Sequence, residues 1–238
     1  MRREVAREIA HCCRRLAEAG LIAGQDGNVS VRVGLDRALV TPAGLIKSEL
    51  EPDDMVEIDL TGRRLRGTRR PSSEIDMHLR ILRGRPDVGA VVHAHPPVAT
   101  GFSVAGESFN ACVLPELIFQ VGWVPLVPYG TPGTAELGEQ LAPFITGYDA
   151  LLLANHGAVT MGANLMEARI RMESLEHAAR ILLTARLLGR VVELDRTAVD
   201  RLEQMRRARG QPGAYPGCPT PTPTESDGGR GTGVNLED

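Results

Sequence analysis

Two histidines on one predicted strand are the residues whose types and spacing most clearly permit metal chemistry. Residues 89–95 read GAVVHAH, and side chains two apart on a strand point to the same face, so His93 and His95 lie side by side. Residues 150–159 read ALLLANHGAV and place a third imidazole, His156, directly after a second predicted strand. Three imidazoles at strand ends favour a site for zinc or another first-row divalent metal ion.

A carboxylate is available to complete this metal site. Glu74 follows Ser72 and Ser73 at the start of a helix predicted over 74–83. Three histidines and one carboxylate form a nitrogen and oxygen ligand set that suits zinc. His78 comes one helical turn after Glu74, where it can either orient the ligand or simply pack in the core. Both interpretations stay open at this point.

Three short motifs upstream of the histidines predict a pocket for an anion. GNVS (27–30), TPAG (41–44) and PSSE (71–74) each combine small, turn-forming residues with amides or hydroxyls. Ser72 is a candidate N-cap for the following helix, and free N–H groups at a helix N-terminus attract anions. Each motif alone is more simply a turn or a cap. Together they predict a phosphate beside the metal, which would orient a phosphorylated substrate with its carbonyl on the metal.

Composition excludes several classes of partner. The formal net charge is −3 and no basic stripe runs along the chain, which argues against binding of nucleic acid. Aromatic residues make up 3% of the chain, too few for base-stacking surfaces. No apolar run approaches the roughly 18 residues of a membrane span, and the N-terminal segment reads as an amphipathic helix rather than a signal peptide. We expect a cytoplasmic protein that acts on a small molecule, with neither nucleic acid nor membrane as a partner.

Hydrophobic periodicity predicts one α/β domain over residues 1–208. Apolar residues at helical spacing predict helices at the N-terminus and over 74–83, 134–145, 164–187 and 196–208. Alternation of apolar and polar residues predicts short strands between these helices. We predict a mixed element over residues 98–104. Residues 209–238 are rich in proline and glycine and have few apolar side chains. They cannot bury enough surface to offset the entropy of ordering, so we predict a disordered tail.

The motifs GNVSVR, TPAG, PSSE, RPDVGAVVHAH and NHG, in this order, resemble the class II aldolase/adducin family. Within it they are most similar to the L-fuculose-phosphate aldolases. The resemblance covers about residues 1–205, and the H-x-H strand with the later NHG is its most specific part. It implies a three-layer α/β/α fold with a mainly antiparallel central sheet, and a homotetramer with active sites at subunit interfaces.

The resemblance also implies roles for individual residues. The family's zinc ligands fall here on Glu74, His93, His95 and His156. Its phosphate-binding positions fall on Asn28, Gly44, Ser72 and Ser73. Glu74 is then the catalytic residue as well as a ligand, because it leaves the metal when the substrate chelates the ion and then shuttles the proton.

Two places depart from the family pattern. Ala43 stands where the aldolases usually have a hydroxyl residue, so one hydrogen bond to a phosphate is missing. Lys47 could offset that loss if its loop brings the ammonium group to the phosphate. Residues 114–116, Leu-Pro-Glu, stand where the fuculose-phosphate aldolases carry a substrate-facing tyrosine. Tyr215 is only a weak match for the tyrosine that completes the neighbouring subunit's site in those enzymes.

We therefore expect a zinc-dependent aldolase that cleaves a small phosphorylated hydroxy-ketone, similar to L-fuculose 1-phosphate, through a metal-stabilised enediolate. Epimerisation, dehydration or decarboxylation of a sugar phosphate is the alternative, because each reaction passes through an enediolate-like intermediate. Glu74 favours the aldolase, since the family's epimerases typically have aspartate after the two serines. A non-catalytic adducin-like binding module is a further alternative, although such a module is expected to have lost metal ligands.

Overall fold

The computed structural model describes residues 2–109 and 112–210 of the 238-residue chain. The α-helices in these residues are α1 (Arg2–Glu18), α2 (Ile75–Gly84), α3 (Pro97–Val104), α4 (Ala135–Leu141), α5 (Leu165–Leu187) and α6 (Arg196–Ala208). The strands are β1 (Asn28–Arg32), β2 (Arg37–Val40), β3 (Val56–Asp59), β4 (Arg64–Arg66), β5 (Ala90–Ala94), β6 (Leu126–Val127), β7 (Ala150–Leu153) and β8 (Gly157–Gly162). None of these helices is both long enough and apolar enough to cross a membrane. Residues 211–238 of the predicted tail, Tyr215 among them, lie outside the described residues.

The strands form one sheet in the order β4-β3-β2-β1-β5-β8-β7-β6. Every neighbouring pair is antiparallel except β6 and β7, which are parallel. Strand β5, which carries His93 and ends just before His95, is near the centre, where His93 is in register with Asn28 of β1 and with Val159 of β8. The mainly antiparallel sheet expected from the resemblance is confirmed.

Helices cover both faces of this sheet. On one face, α1, α3 and α5 bury apolar side chains against strand residues such as Val29 and Val92. On the other face, α2 and α4 pack on residues such as Val91 and Leu151. Val91 and Val92 are neighbours in β5 and yet belong to opposite cores, because successive side chains of a strand point to opposite faces. The three-layer α/β/α architecture is therefore confirmed.

The prediction of a mixed element over 98–104 is wrong, because these residues form most of helix α3. Its sequence is poor in strong helix formers, which is why the pattern did not indicate a helix. The buried carboxylate of Glu176 in α5 accepts hydrogen bonds from the backbone N–H groups of Val98 at 3.0 Å and Ala99 at 2.9 Å. These two donors of the first turn would otherwise lack partners. Glu176 thereby anchors α3 directly after His95.

The prediction of Ser72 as the N-cap of α2 is also wrong. The helix begins at Ile75 and its N-cap residue is Glu74. The hydroxyl of Ser72 accepts from the N–H of Glu74 at 3.3 Å, and the carbonyl of Ser72 accepts from the N–H of Ile75 at 3.2 Å. A β-bridge between Pro42 and Pro71 keeps the chain extended up to this turn, so the helix starts later than the serines suggest.

Three helices meet the sheet at a buried charge cluster around Asp149, the residue before β7. One oxygen of this carboxylate lies 2.9 Å from Arg85, and the other lies 3.3 Å from Arg171 and 3.0 Å from Arg206. All three guanidinium groups are nearly buried. They come from the end of α2, from α5 and from α6. Because His156 follows β7, this cluster and the histidines lie at opposite ends of that strand.

Candidate metal centre

Strand β5 and the turn between β7 and β8 bring three imidazoles together. His93 is buried within β5, His95 follows the end of that strand, and His156 ends the turn. The ring centroids lie 4.7 to 5.1 Å apart, and each ring offers a ligand atom within 4.8 Å of the others. Since β5 and β8 are antiparallel neighbours, the turn before β8 falls beside the end of β5. The three histidines singled out in the sequence form one cluster.

Two residues that flank His156 have the backbone properties that this turn requires. Asn155 adopts the left-handed conformation, with φ of 55°, which asparagine tolerates better than most residues. A Cβ on Gly157 would lie 2.6 Å from the ring of His95 and 2.6 Å from the carbonyl oxygen of Ala94. Only glycine fits beside the histidine pair. The sequence Asn-His-Gly is therefore explained by the packing of the turn against β5.

Glu74 reaches the histidines from the start of α2. Its Oε1 lies 3.1 Å from Nε2 of His156, and its Oε2 lies 3.4 Å from Nε2 of His93. Burial alone would raise the pKa of this carboxyl group, but the close approach of His156 and His93 outweighs burial and holds the pKa below its usual value. Glu74 is thus an ionised carboxylate in contact with two of the three histidines, His93 and His156.

The orientation of His93 indicates that a cation fits this cluster. Nδ1 of His93 donates to the carbonyl oxygen of Ala158 at 2.9 Å, so Nε2 is the ring nitrogen that can offer a lone pair. That atom lies 3.2 Å from Nε2 of His95, with the carboxylate of Glu74 on another side. Two ligands of a tetrahedral zinc ion, each at about 2.0–2.1 Å, lie about 3.3–3.4 Å apart. Lone pairs that face one another at this spacing repel unless a cation lies between them.

His95 has the properties of a ligand on the more exposed side of the cluster. Burial and the charges of His93 and His156 lower its pKa from the usual 6.5 to about 4, so the ring is neutral at pH 7 and can bind a metal. Its Nδ1 lies 3.5 Å from a carboxylate oxygen of Asp26, an arrangement typical of metal-binding histidines. Asp26 was not predicted from the sequence, because a loop residue before β1 has no pattern that links it to His95.

A row of buried polar side chains lies behind Glu74. The amide nitrogen of Asn28 donates to Oε2 of Glu74 at 2.7 Å. The amide oxygen of Asn28 forms a short hydrogen bond with Nε2 of His78, and Nδ1 of His78 lies 2.7 Å from the hydroxyl of Ser30. Asn28 and Ser30 are two apart in β1 and so share a face, which α2 covers. These contacts favour orientation of the ligand over simple packing as the role of His78.

Backbone hydrogen bonds join the three motifs that were predicted to bind an anion. The TPAG and PSSE segments meet at the bridge between Pro42 and Pro71, and the N–H of Ser72 donates to the carbonyl of Thr41 at 3.2 Å. Thr41 also connects to the GNVS segment, because its hydroxyl accepts from the N–H of Val29 at 3.1 Å. The three motifs therefore form one continuous edge of the candidate site.

The residues expected to hold a phosphate differ in exposure. Gly44 and Ser73 are exposed, whereas Ser72 and Asn28 are buried. Gly44 has a φ of 74°, a conformation that side chains disfavour. Ser72 and Asn28 both contact Glu74, through the hydroxyl of Ser72 and the amide of Asn28. Two of the four residues are thereby adjacent to the carboxylate that contacts the histidine cluster.

Lys47 fastens two loops of the site to each other. Its Nζ donates to the carbonyl oxygens of Gln25 at 2.9 Å and Leu45 at 3.0 Å, and its backbone N–H donates to Gly24 at 2.9 Å. Burial lowers the pKa of this ammonium group. Two of its three hydrogens bind backbone carbonyl oxygens, and the offset of the hydroxyl missing at Ala43 stays a prediction.

Comparison with known proteins assigns this site to a family. Residues 7–183 match the family model described as Class II Aldolase and Adducin N-terminal domain. The 3-oxo-tetronate 4-phosphate decarboxylase of Pectobacterium atrosepticum is 37% identical over 169 residues, which are 69% of this chain and 77% of that protein. The L-fuculose phosphate aldolase of Methanocaldococcus jannaschii is 35% identical over 173 residues, which are 72% of this chain and 91% of that protein. A solved structure of an L-fuculose 1-phosphate aldolase matches with a TM-score of 0.78 at 32% identity and covers 87% of this chain and 96% of that one. This chain belongs to the class II aldolase/adducin family.

Proposed function

We propose that this protein is a zinc-dependent aldolase that cleaves a small phosphorylated hydroxy-ketone, similar to L-fuculose 1-phosphate, by a retro-aldol reaction. The observation that carries the proposal is the contact of Glu74 with His93 and His156, because it sets an ionised carboxylate within a cluster of metal ligands. The family supports it as well, since its members include enzymes named as aldolases and as decarboxylases.

Glu74, His93, His95 and His156 would hold the metal. When bound, zinc supplies Lewis-acid chemistry that polarises the substrate carbonyl and stabilises the enediolate left by cleavage of the carbon–carbon bond. Three neutral imidazoles and one carboxylate leave net positive charge on a divalent ion, which suits an anionic intermediate. Asp26 would keep His95 oriented through Nδ1.

Glu74 would also move the proton. Retro-aldol cleavage requires a base to take the proton of the hydroxyl group beside the bond that breaks, and an acid to return a proton to carbon. Oε2 of Glu74 is held by Asn28. Oε1 is buried and has no hydrogen-bond donor among the described residues, although Nε2 of His156 lies 3.1 Å away. Oε1 is therefore the oxygen of Glu74 that would take up the proton.

The substrate phosphate would bind along the edge formed by the three motifs. Gly44, Ser72 and Ser73 offer N–H and hydroxyl donors there, and the amide of Asn28 has a second hydrogen besides the one bound to Glu74. Both curated relatives described above are named for phosphorylated compounds, which supports a phosphate. The hydroxyl missing at Ala43 would cost about 1.5–3 kcal/mol, so we expect affinity for phosphate to be about tenfold to hundredfold lower than with a hydroxyl residue.

Decarboxylation is the second candidate, because the relative from Pectobacterium is named as a decarboxylase. The two reactions are chemically close. Loss of the carboxyl carbon from a 3-oxo-tetronate 4-phosphate leaves the enediolate of dihydroxyacetone phosphate, and retro-aldol cleavage of a ketose 1-phosphate leaves the same enediolate. One metal site with Glu74 as proton carrier serves both reactions. Detection of dihydroxyacetone phosphate therefore cannot distinguish them.

The second product separates the two candidates. With a ketose 1-phosphate, we expect zinc-loaded protein to release dihydroxyacetone phosphate and an equal amount of aldehyde. Release of carbon dioxide from 3-oxo-tetronate 4-phosphate, with no cleavage of ketose phosphates, would instead assign decarboxylation. An isomerised ketose phosphate without any three-carbon product would contradict both.

The same assay tests whether the site recognises a phosphate group on the substrate. We expect kcat/KM to be higher for the phosphorylated ketose than for the free sugar, and Ser73→Ala to reduce that difference by removing a hydroxyl donor. Equal values for both sugars, with no effect of Ser73→Ala, would overturn the phosphate assignment and leave the metal assignment intact.

A further inference from the structure

Ser30, His78, Asn28 and Glu74 form a buried chain of hydrogen bonds that ends at the metal cluster. His78 is 1% exposed, Ser30 is 0% exposed and Asn28 is 5% exposed. Burial of three polar side chains without partners would cost free energy, but here each one meets the next. An apolar residue at position 78 would fill the same space between β1 and α2, so packing alone does not require this chain.

The direction of the hydrogen bonds follows from the carboxylate at its end. Ionised Glu74 can only accept, so the amide nitrogen of Asn28 faces it and the amide oxygen faces His78. That oxygen can also only accept, so Nε2 of His78 carries a hydrogen. Nδ1 then accepts from the hydroxyl of Ser30. His78 can hold these two roles because it is neutral, since burial lowers its pKa from 6.5 to about 3.

We infer that His78 is a positioning residue for Glu74: it fixes the amide of Asn28, which holds Oε2 and leaves Oε1 as the oxygen that binds metal and carries the proton. This inference rests on the proposed function, because it assumes that Glu74 is a ligand and a base. The contacts distinguish the two oxygens independently. Oε2 receives the 2.7 Å bond from Asn28, and Oε1 has no donor among the described residues.

Substitutions of His78 separate the effect of its N–H donor from the effect of the volume that its side chain fills. His78→Leu keeps a similar volume and removes the N–H that Asn28 requires. His78→Gln keeps an amide N–H near the place of Nε2. Ser30→Ala removes only the outer hydroxyl. Loss of a residue that orients a metal ligand typically costs tenfold to hundredfold in metal affinity or activity.

The experiment measures the zinc dissociation constant by competition with a chromogenic chelator, and kcat and KM with a ketose 1-phosphate. We expect His78→Leu to weaken zinc binding by about tenfold to hundredfold and to lower kcat more than it raises KM. His78→Gln should recover most of both losses, and Ser30→Ala should show a smaller loss in the same direction. Leu82→Ala is the matched control, because Leu82 is buried in the same helix and its removal destabilises the fold away from the chain of hydrogen bonds.

The control should melt at a lower temperature and yet bind zinc as the wild type does. Wild-type zinc affinity and kcat in His78→Leu would overturn the inference, as would equal losses in Leu82→Ala or no recovery in His78→Gln. If His78→Leu does not fold, an unchanged zinc affinity in Ser30→Ala overturns it. If the wild type binds zinc and cleaves the ketose phosphate, and these variants match it in both properties, this inference alone is refuted. A wild type that binds no zinc refutes the proposed function as well.

Discussion

Glu74 is the residue on which the proposed chemistry depends most directly, and its amide variant tests that role. We expect Glu74→Gln to retain part of its zinc, because the three histidines remain, and to lose turnover by about a hundredfold or more, since the amide cannot take up the proton. Measurement of kcat on zinc-loaded protein checks this prediction. Asp76→Asn is the control, because Asp76 is a partly exposed carboxylate two residues further along that pairs with Arg80. A kcat near that of the wild type in Glu74→Gln would show that the base is another group.

One buried and one partly buried histidine predict how the stability of the metal-free protein depends on pH. Burial, with the charges of His93 and His156, lowers the pKa of His95 to about 4, and burial lowers that of His78 to about 3. The unfolded chain takes up these protons near the ordinary pKa of about 6.5, whereas the folded chain does not. Stability is therefore greatest above about pH 6.5 and falls as the pH decreases towards 4.

Thermal melting of the metal-free protein at a series of pH values checks this dependence. We expect the melting temperature to decrease steadily between pH 6.5 and pH 4. Zinc should also dissociate in this range, because protons compete for the imidazoles. A melting temperature that stays constant across the interval would contradict the lowered pKa values of His78 and His95.

At the residue scale, the sequence predicts the candidate metal ligands but not the hydrogen bonds of the polar side chains behind Glu74. His93 and His95 are neighbours because of strand periodicity alone, and His156 follows from its place at a strand end. The bond between Asn28 and Glu74 joins residues 46 positions apart, and that between His78 and Asn28 joins residues 50 apart. Such contacts depend on how α2 packs over β1, which no local pattern reports.

At the scale of elements, Asp149 joins α2, α5 and α6 to the sheet, and its substitution should make the folded protein less stable. We expect Asp149→Asn to lower the free energy of unfolding by about 3–5 kcal/mol, because three nearly buried guanidinium groups lose the charge that they share. Asp87→Asn is the control, since Asp87 pairs with Arg85 but is 49% exposed, and it should cost about 1 kcal/mol or less. Urea denaturation measures both values, and equal losses in the two variants would contradict the role of the cluster.

The elements that sequence periodicity predicted well are those with a continuous apolar face. Helix α6 has the predicted bounds, and α5 begins one residue after its predicted start. Helix α3 was missed because its first turn depends on the carboxylate of Glu176, 77 residues from Ala99. The start of α2 was placed too early, because two serines resemble a cap whereas the bridge at Pro71 delays the helix.

At the scale of the whole molecule, the homotetramer implied by the resemblance stays a prediction. Met166, Ile170 and Ile181 are exposed on α5 at spacings that put them on one stripe of the helix, and exposed apolar stripes often mark association surfaces. Light scattering should give four times the 25.6 kDa mass of the chain. A mass equal to one chain would contradict the tetramer. The cytoplasmic location likewise stays a prediction.

The zinc content of protein purified without chelator tests most directly whether the clustered histidines and Glu74 form a catalytic metal centre. We predict one zinc ion per chain in the wild type and in His177→Ala, whose histidine is exposed on α5. We predict loss of zinc in His93→Ala with the helical content unchanged, because the cores on the two faces of the sheet remain. If the wild type contains little zinc, and added zinc does not restore one ion per chain, the account is contradicted and a non-catalytic binding module is favoured.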